Sequence, residues 1–317
     1  MAESSVPDPS RPEPNTPEAA AVERDAAEEK SAFAHPAVDP DATEAYGPHP
    51  DQIVDFHAPR GGGPDHPEGA GGAPLVVVFH GGAWRTPYDR RHISPFADFL
   101  ARRGFAVANV EYRRGRDVPA PRTGPEGGPV AGRWPETFDD VAAAMDALPE
   151  LVARALPGTD IRRTVLTGHS AGGQLALWAA ARHVLPRGSA WRLDRAPELR
   201  GVVALAPIAD FDRATALDVC GGAVRQLLGA EDDEAAARRA EADPALLLPT
   251  GIATTVVQGY DDIVVPPPVA EAYADAAARA GETVGLTLLA EVGHFPLIDP
   301  SADACAVVAE EIAQLAW

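Results

Sequence analysis

The sequence predicts an α/β domain, a mostly parallel central sheet with helices on both faces. Three observations carry that expectation. From about residue 44 onward, short β-branched runs alternate with runs of helical periodicity, the pattern of strand–helix crossover units. One alternation contains a serine between glycines, Gly168-His169-Ser170-Ala171-Gly172, set between the β-branched run 164–167 and the helix-forming run 174–180. The groups best suited to chemistry also fall where a strand ends, which is where such sheets bind ligands.

The elements follow in order. Residues 1–43 are rich in Pro, Glu, Ala and Asp with little apolar periodicity, the composition of a disordered tail; a short helix over 17–31 is compatible with it. The domain then occupies 44–317. An edge strand is expected over 52–57, a glycine-rich connection over 61–72, and a strand over 75–79 (Leu-Val-Val-Val-Phe). A helix over 93–103, a strand over 105–111 and a Pro/Gly-rich loop over 113–134 come next. The following helix starts near Thr137, with Asp139 and Asp140 in its first turn, where the helix dipole favours acids. After the serine-bearing turn and its helix come a strand at 202–205 and a helical stretch over 213–247. The latter interrupts the alternation, so it is read as a small cap over the pocket; ordinary crossover packing is the alternative. A strand over 253–258, a helix over 267–280, a strand over 284–289 and a helix over 302–315 close the chain.

Composition narrows the class. With 317 residues and 45% hydrophobic content the chain can bury a sizeable core. Two cysteines, Cys220 and Cys305, are too few for a disulfide framework and are read as packing residues of a reducing compartment. The start, Met1-Ala2-Glu3-Ser4-Ser5-Val6-Pro7-Asp8, has neither a basic region nor an apolar stretch behind it, and no run approaches the ~18 apolar residues of a membrane helix. A cytoplasmic location is therefore expected. A net charge of −20, of which 11 acids and 3 bases in residues 1–45 supply −8, argues against nucleic acid and anionic membranes as partners. No cofactor and no metal is called for. Oligomeric state stays open, a homodimer included.

Glycines two positions either side of Ser170 allow a turn too tight for bulky side chains, and the strained turn exposes the hydroxyl at the sheet edge. A serine hydroxyl needs a base, and the base needs a third group to hold its tautomer. In hydrolases built on this elbow the partners follow in the order serine, acid, histidine. Of the nine histidines only His294 lies beyond a plausible acid. The acid should end the strand 253–258, where Gly259-Tyr260-Asp261-Asp262-Ile263-Val264-Val265-Pro266 follows. Asp262 is preferred to Asp261 for its three-residue offset from Gly259. His80-Gly81-Gly82-Ala83-Trp84, after the strand 75–79, has the small residues that let backbone amides face a developing oxyanion. The amides of Gly82, Ala83 and Ala171 are the expected donors, with His80 bracing the loop. Trp84, Tyr88 and Phe295 are candidate walls of a substrate pocket.

These residues resemble the α/β-hydrolase fold and, within it, the bacterial kynurenine formamidase-like esterases. The resemblance spans about 44–317. It runs through Tyr46-Gly47-Pro48-His49-Pro50, HGGAWR at 80–85, Glu111-Tyr112-Arg113, WPETFDD at 134–140, GHSAGG at 168–173, the 259–266 loop and GHFPLIDP at 293–300. Ala83 stands where the formamidases usually carry tyrosine. The resemblance implies Ser170 as nucleophile, His294 as base, Asp262 as its orienter, and a small amide or ester as substrate. Arylformamidase activity, N-formylkynurenine to kynurenine and formate, is the first expectation. General carboxylesterase activity is the alternative, and a non-catalytic binding protein on the same scaffold a third.

Overall fold

The computed structural model describes residues 16–61, 72–117, 129–229 and 232–317. Its strands are β1 (Ala42–Ala45), β2 (Ile53–His57), β3 (Pro74–Phe79), β4 (Ala106–Val110), β5 (Arg116–Asp117), β6 (Pro129–Val130), β7 (Asp160–His169), β8 (Gly201–Leu205), β9 (Thr254–Gly259) and β10 (Gly285–Leu289). Eight of them form one sheet in the order β1-β2-β4-β3-β7-β8-β9-β10, and β5 pairs with β6 in a second, two-stranded sheet. From β4 to β10 neighbours run parallel; β1 and β2 pair antiparallel at one edge. The strand expected at the edge is thus one place inside it, because β1 adds outside β2 with Ala42 opposite Phe56.

The helices are α1 (Pro17–Ala32), α2 (Ser94–Ala101), α3 (Glu136–Ala155), α4 (Ala171–Ala180), α5 (Phe211–Ala216), α6 (Ala223–Leu228), α7 (Asp232–Ala242), α8 (Pro267–Arg279) and α9 (Asp303–Ala316). Strand β3 shows why its sequence is apolar throughout. Leu75, Val77 and Phe79 join Phe138 of α3 and Leu175 of α4 in one buried cluster, while Val76 and Val78 join Phe96 of α2 and Ile312 of α9 in the other. A sheet covered on both faces needs apolar residues at every position of its central strands. None of the helices among the described residues is long and apolar enough to cross a membrane.

Chain order sets the site. After β3 the chain goes to β4 on one side, then returns to place β7 on the other side of β3. The crevice of such a reversal, at the carboxyl ends of β3 and β7, is where open α/β sheets hold ligands. The turn after β3 carries His80–Ala83 and the turn after β7 carries Ser170.

The expected disordered tail is corrected for residues 16–43; residues 1–15 lie outside the described residues. Thr16 caps helix α1, its side chain accepting from the Ala19 amide, and the helix docks on the 3-10 turn Phe295–Leu297 and the loops around it. Glu28 Oε1 accepts from the Gly293 amide at 3.2 Å, Arg24 donates to Asp261 O at 2.9 Å, and Ser31 Oγ donates to Asp299 Oδ2 at 2.6 Å. His35 Nε2 lies 2.8 Å from Asp299 Oδ1. The docking face is polar, which is why no apolar stripe announces it.

Candidate active site

Strand β7 ends at His169, and Ser170 occupies a turn with φ 56° and ψ −117° before α4 begins at Ala171. A positive φ costs a side-chain-bearing residue about 1–2 kcal/mol and persists only where neighbours over-determine it. They do here: the Ser170 amide donates to Leu205 O at 2.8 Å, and Ser170 O accepts from the Gln174 and Ile208 amides. A Cβ at Gly172 would collide with the carbonyl oxygens of Phe79 and His80, and one at Gly168 with that of Gly172. Backbone on all sides leaves glycine as the residue that fits.

Asp262 and His294 meet across the ends of β9 and β10. His294 Nδ1 lies 2.7 Å from Asp262 Oδ2, with both side chains almost fully buried. Asp262 Oδ1 accepts from the amides of Val264 and Val265, each at 2.8 Å, and Oδ2 accepts from Gln258 Nε2 at 3.1 Å. Those donors lock the carboxylate's orientation. Asp261 points elsewhere: its carboxylate lies 3.7 Å from Arg24 Nη1. His169 braces the base from behind, with Nε2 3.0 Å from His294 O and the rings 4.2 Å apart. Burial, with His294 adjacent, pushes His169 well below the ordinary histidine range, so it donates as a neutral ring.

The loop after β3 turns through three consecutive positive φ values, at Gly82 (99°), Ala83 (50°) and Trp84 (54°). A Cβ on Gly82 would strike the Tyr88 ring. No described residue accepts from the amides of Gly82, Ala83 or Ala171, so those donors stay free at the crevice. His80 braces the loop, fully buried and stacked on Tyr112 at 4.2 Å, with Nε2 2.9 Å from Glu111 Oε1 and Nδ1 2.9 Å from Gly81 O. Burial opposes the Glu111 charge, but His80, Arg114 and the Arg90 amide hold it down to about 2.

Ser170 and His294 line one cavity of about 130 Å³ together with Gly82 and Ala83. Tyr88 and Phe295 line that cavity; Trp84 does not. That indole is fully buried against Phe211, with ring centroids 6.3 Å apart, because the positive φ at Trp84 turns it into the core. Six further residues complete the lining without having been expected there: Phe33, Arg85, His92, His169, Cys220 and Val264. Phe33 follows α1 and packs edge-on against Phe295 at 5.5 Å. Cys220, expected as plain packing, lies between α5 and α6 in the wall, so the helical stretch touches the pocket. Its far end is tied to α4, where Gln174 Nε2 donates to Ala242 O and Trp178 Nε1 to Glu241 O. Among the described residues no group of three or more His, Cys, Asp or Glu is placed to hold a metal ion.

A model of the alpha/beta hydrolase family matches residues 76–309, from β3 to α9. The chain belongs to the alpha/beta hydrolase family. No curated protein matches this hydrolase by sequence. Solved structures match it in fold. Esterase B from Lactobacillus rhamnosis is 20% identical with a TM-score of 0.67, covering 93% of both chains. A carbohydrate esterase from gut microbiota is 16% identical with a TM-score of 0.66, covering 89% of the hydrolase and 99% of that chain. A propionate-bound thermophilic esterase from Thermogutta terrifontis is 19% identical with a TM-score of 0.59, covering 86% and 92%.

Proposed function

We propose that this chain is a serine carboxylesterase that cleaves a small ester through an acyl-enzyme. The observation that carries the reading is the His294–Asp262 contact at 2.7 Å, with His294 lining the same cavity as Ser170. In the proposed reaction the Ser170 Oγ attacks the ester carbonyl while His294 Nε2 takes its proton. Asp262 holds Nδ1–H and stabilises the imidazolium that forms. The amides of Gly82, Ala83 and Ala171 receive the carbonyl oxygen as it becomes an oxyanion, helped by the N-terminal dipole of α4. Collapse of the tetrahedral intermediate expels the alkoxide, which takes the proton back from His294. Water then repeats the sequence on the acyl-serine, with His294 as base, and releases the acid.

Esters stand ahead of arylformamides in this reading because the three structural relatives named above are esterases. N-formylkynurenine is the second substrate to test, alongside a ladder of p-nitrophenyl esters. Ser170→Ala should lower kcat by ~10⁴ or more with an unchanged melting profile. Retention of activity within about tenfold of wild type would sink the mechanism.

A further inference from the structure

The cavity's lining carries one permanent charge, and that charge is positive. Of the residues that line it, none is a carboxylate, and Arg85 is the cation. This is unexpected in a chain with 47 acidic and 27 basic residues. Arg85 sits three residues after Gly82, on the segment that turns the free amides toward Ser170. Its Nη2 donates to Cys220 O at 2.7 Å and reaches Gln226 Oε1 at 3.4 Å. Its Nε is buried and finds no acceptor among the described residues. Among the described residues no carboxylate is paired with it, whereas Arg90, Arg113 and Arg114 nearby in the sequence are each paired with a buried acid.

The other titratable groups of the lining do not offset that charge. Burial, with His80 beside it, pushes His92 down to about 3. Tyr88 and Cys220 are both pushed up by burial and stay protonated. The acids of α1 do not line the cavity: Asp25 lies near the Asp262–His294 pair, Glu28 bonds Gly293, and Glu29 acts on Tyr88 from outside the lining. A guanidinium that is partly desolvated and has an unused N–H is an incomplete arrangement, and a planar two-oxygen anion completes it.

We infer that Arg85 selects esters that carry a carboxylate, which it binds within the same cavity while Ser170 attacks the ester carbonyl. The inference deepens the esterase reading and rests on it. Two sources of the carboxylate fit the chemistry: the acyl group, as in a half-ester of a short diacid, and the leaving group, as in an ester of a hydroxy acid.

The test compares matched pairs on the full-length protein. p-Nitrophenyl hydrogen glutarate against p-nitrophenyl valerate asks about the acyl side, and 3-carboxyphenyl butyrate against 3-carbamoylphenyl butyrate about the leaving-group side. The expected result is a preference of about 10- to 100-fold in kcat/KM for the carboxylate member of one pair, the size of a charge-assisted contact. Arg85→Gln should lower that preference by at least tenfold, and Arg85→Lys should retain a larger part of it. In the wild type, glutarate should inhibit hydrolysis of the neutral ester competitively and its monoamide should do so more weakly, a readout that needs no variant. Equal or greater rates on both neutral esters would overturn the inference while leaving the esterase standing. So would a loss in Arg85→Gln that is the same for both members of a pair. Failure to cleave any ester would instead overturn the underlying function.

Discussion

Replacing Ser31 by alanine tests whether the N-terminal helix belongs to the folded body. Ser31 ends the polar face of α1 and donates to Asp299 Oδ2 at 2.6 Å. Asp299 is only 3% exposed, and its other oxygen receives the Ser301 amide at 2.9 Å, the Ser301 hydroxyl at 2.6 Å and His35 at 2.8 Å. A charge-assisted bond contributes about 1.5–3 kcal/mol, and the lower end applies because Ser31 itself is exposed. Ser31→Ala should therefore cost about 1.5 kcal/mol, a fall in melting temperature of about 3–5 °C for a domain of this size. The sign of the pH dependence follows from Asp299. Burial alone would raise its pKa, but the bonds from Ser301, Ser31 and His35 hold it down to about 2 from 3.8. A depressed carboxyl adds stability that is complete above its unfolded value, near 4, and is lost as pH falls toward 2. The deficit of Ser31→Ala should hence be full at pH 7 and shrink below about pH 3. Chemical denaturation across that range, in a double-mutant cycle with Asp299→Asn, should return a coupling of about 1 kcal/mol or more. Strict additivity of the two substitutions, or a deficit that does not vary with pH, would refute the account of α1 as a docked element.

Asp262→Asn should lower kcat by about 10⁴, since an amide would accept the wrong tautomer of His294; Asp261→Asn, which loses only the 3.7 Å approach to Arg24, should fall less than threefold, as steady-state rates on one good ester will reveal. Glu111→Gln should destabilise the fold by about 3 kcal/mol, because it leaves the buried Arg114 contact at 2.7 Å without a charge partner, and it should reduce kcat more than KM by loosening the 80–83 loop; thermal melting and a kcat–KM split measure both. Deletion of residues 1–40 should lower the melting temperature and raise KM by removing Phe33 from the cavity wall, with Phe33→Ala reproducing the KM change alone; a deletion variant with wild-type melting and KM would contradict the docked helix.

What the sequence determined by itself was whatever rests on local chain chemistry. The two-sided apolar strands, the alternation with helices and the glycines around Ser170 depend on neighbours a few residues away, or on backbone that any such turn brings close. The preference for Asp262 over Asp261 could also be read locally, because the offset from Gly259 decides which side chain the turn presents to His294. The tertiary structure alone decided what depends on partners far along the chain. Helix α1 docks through Arg24, Glu28 and Ser31 onto residues 261, 293 and 299, and a polar face gives no periodic signal before its partners are in place. Trp84 looked like a pocket wall until three successive positive φ values turned it into the core. Phe33, Arg85 and Cys220 come from three separate segments, and only the closing of those segments over the ends of β3 and β7 makes them one surface. Short-range sterics can be written in a sequence of neighbours, while the charge and shape of a cavity belong to residues that meet only on folding.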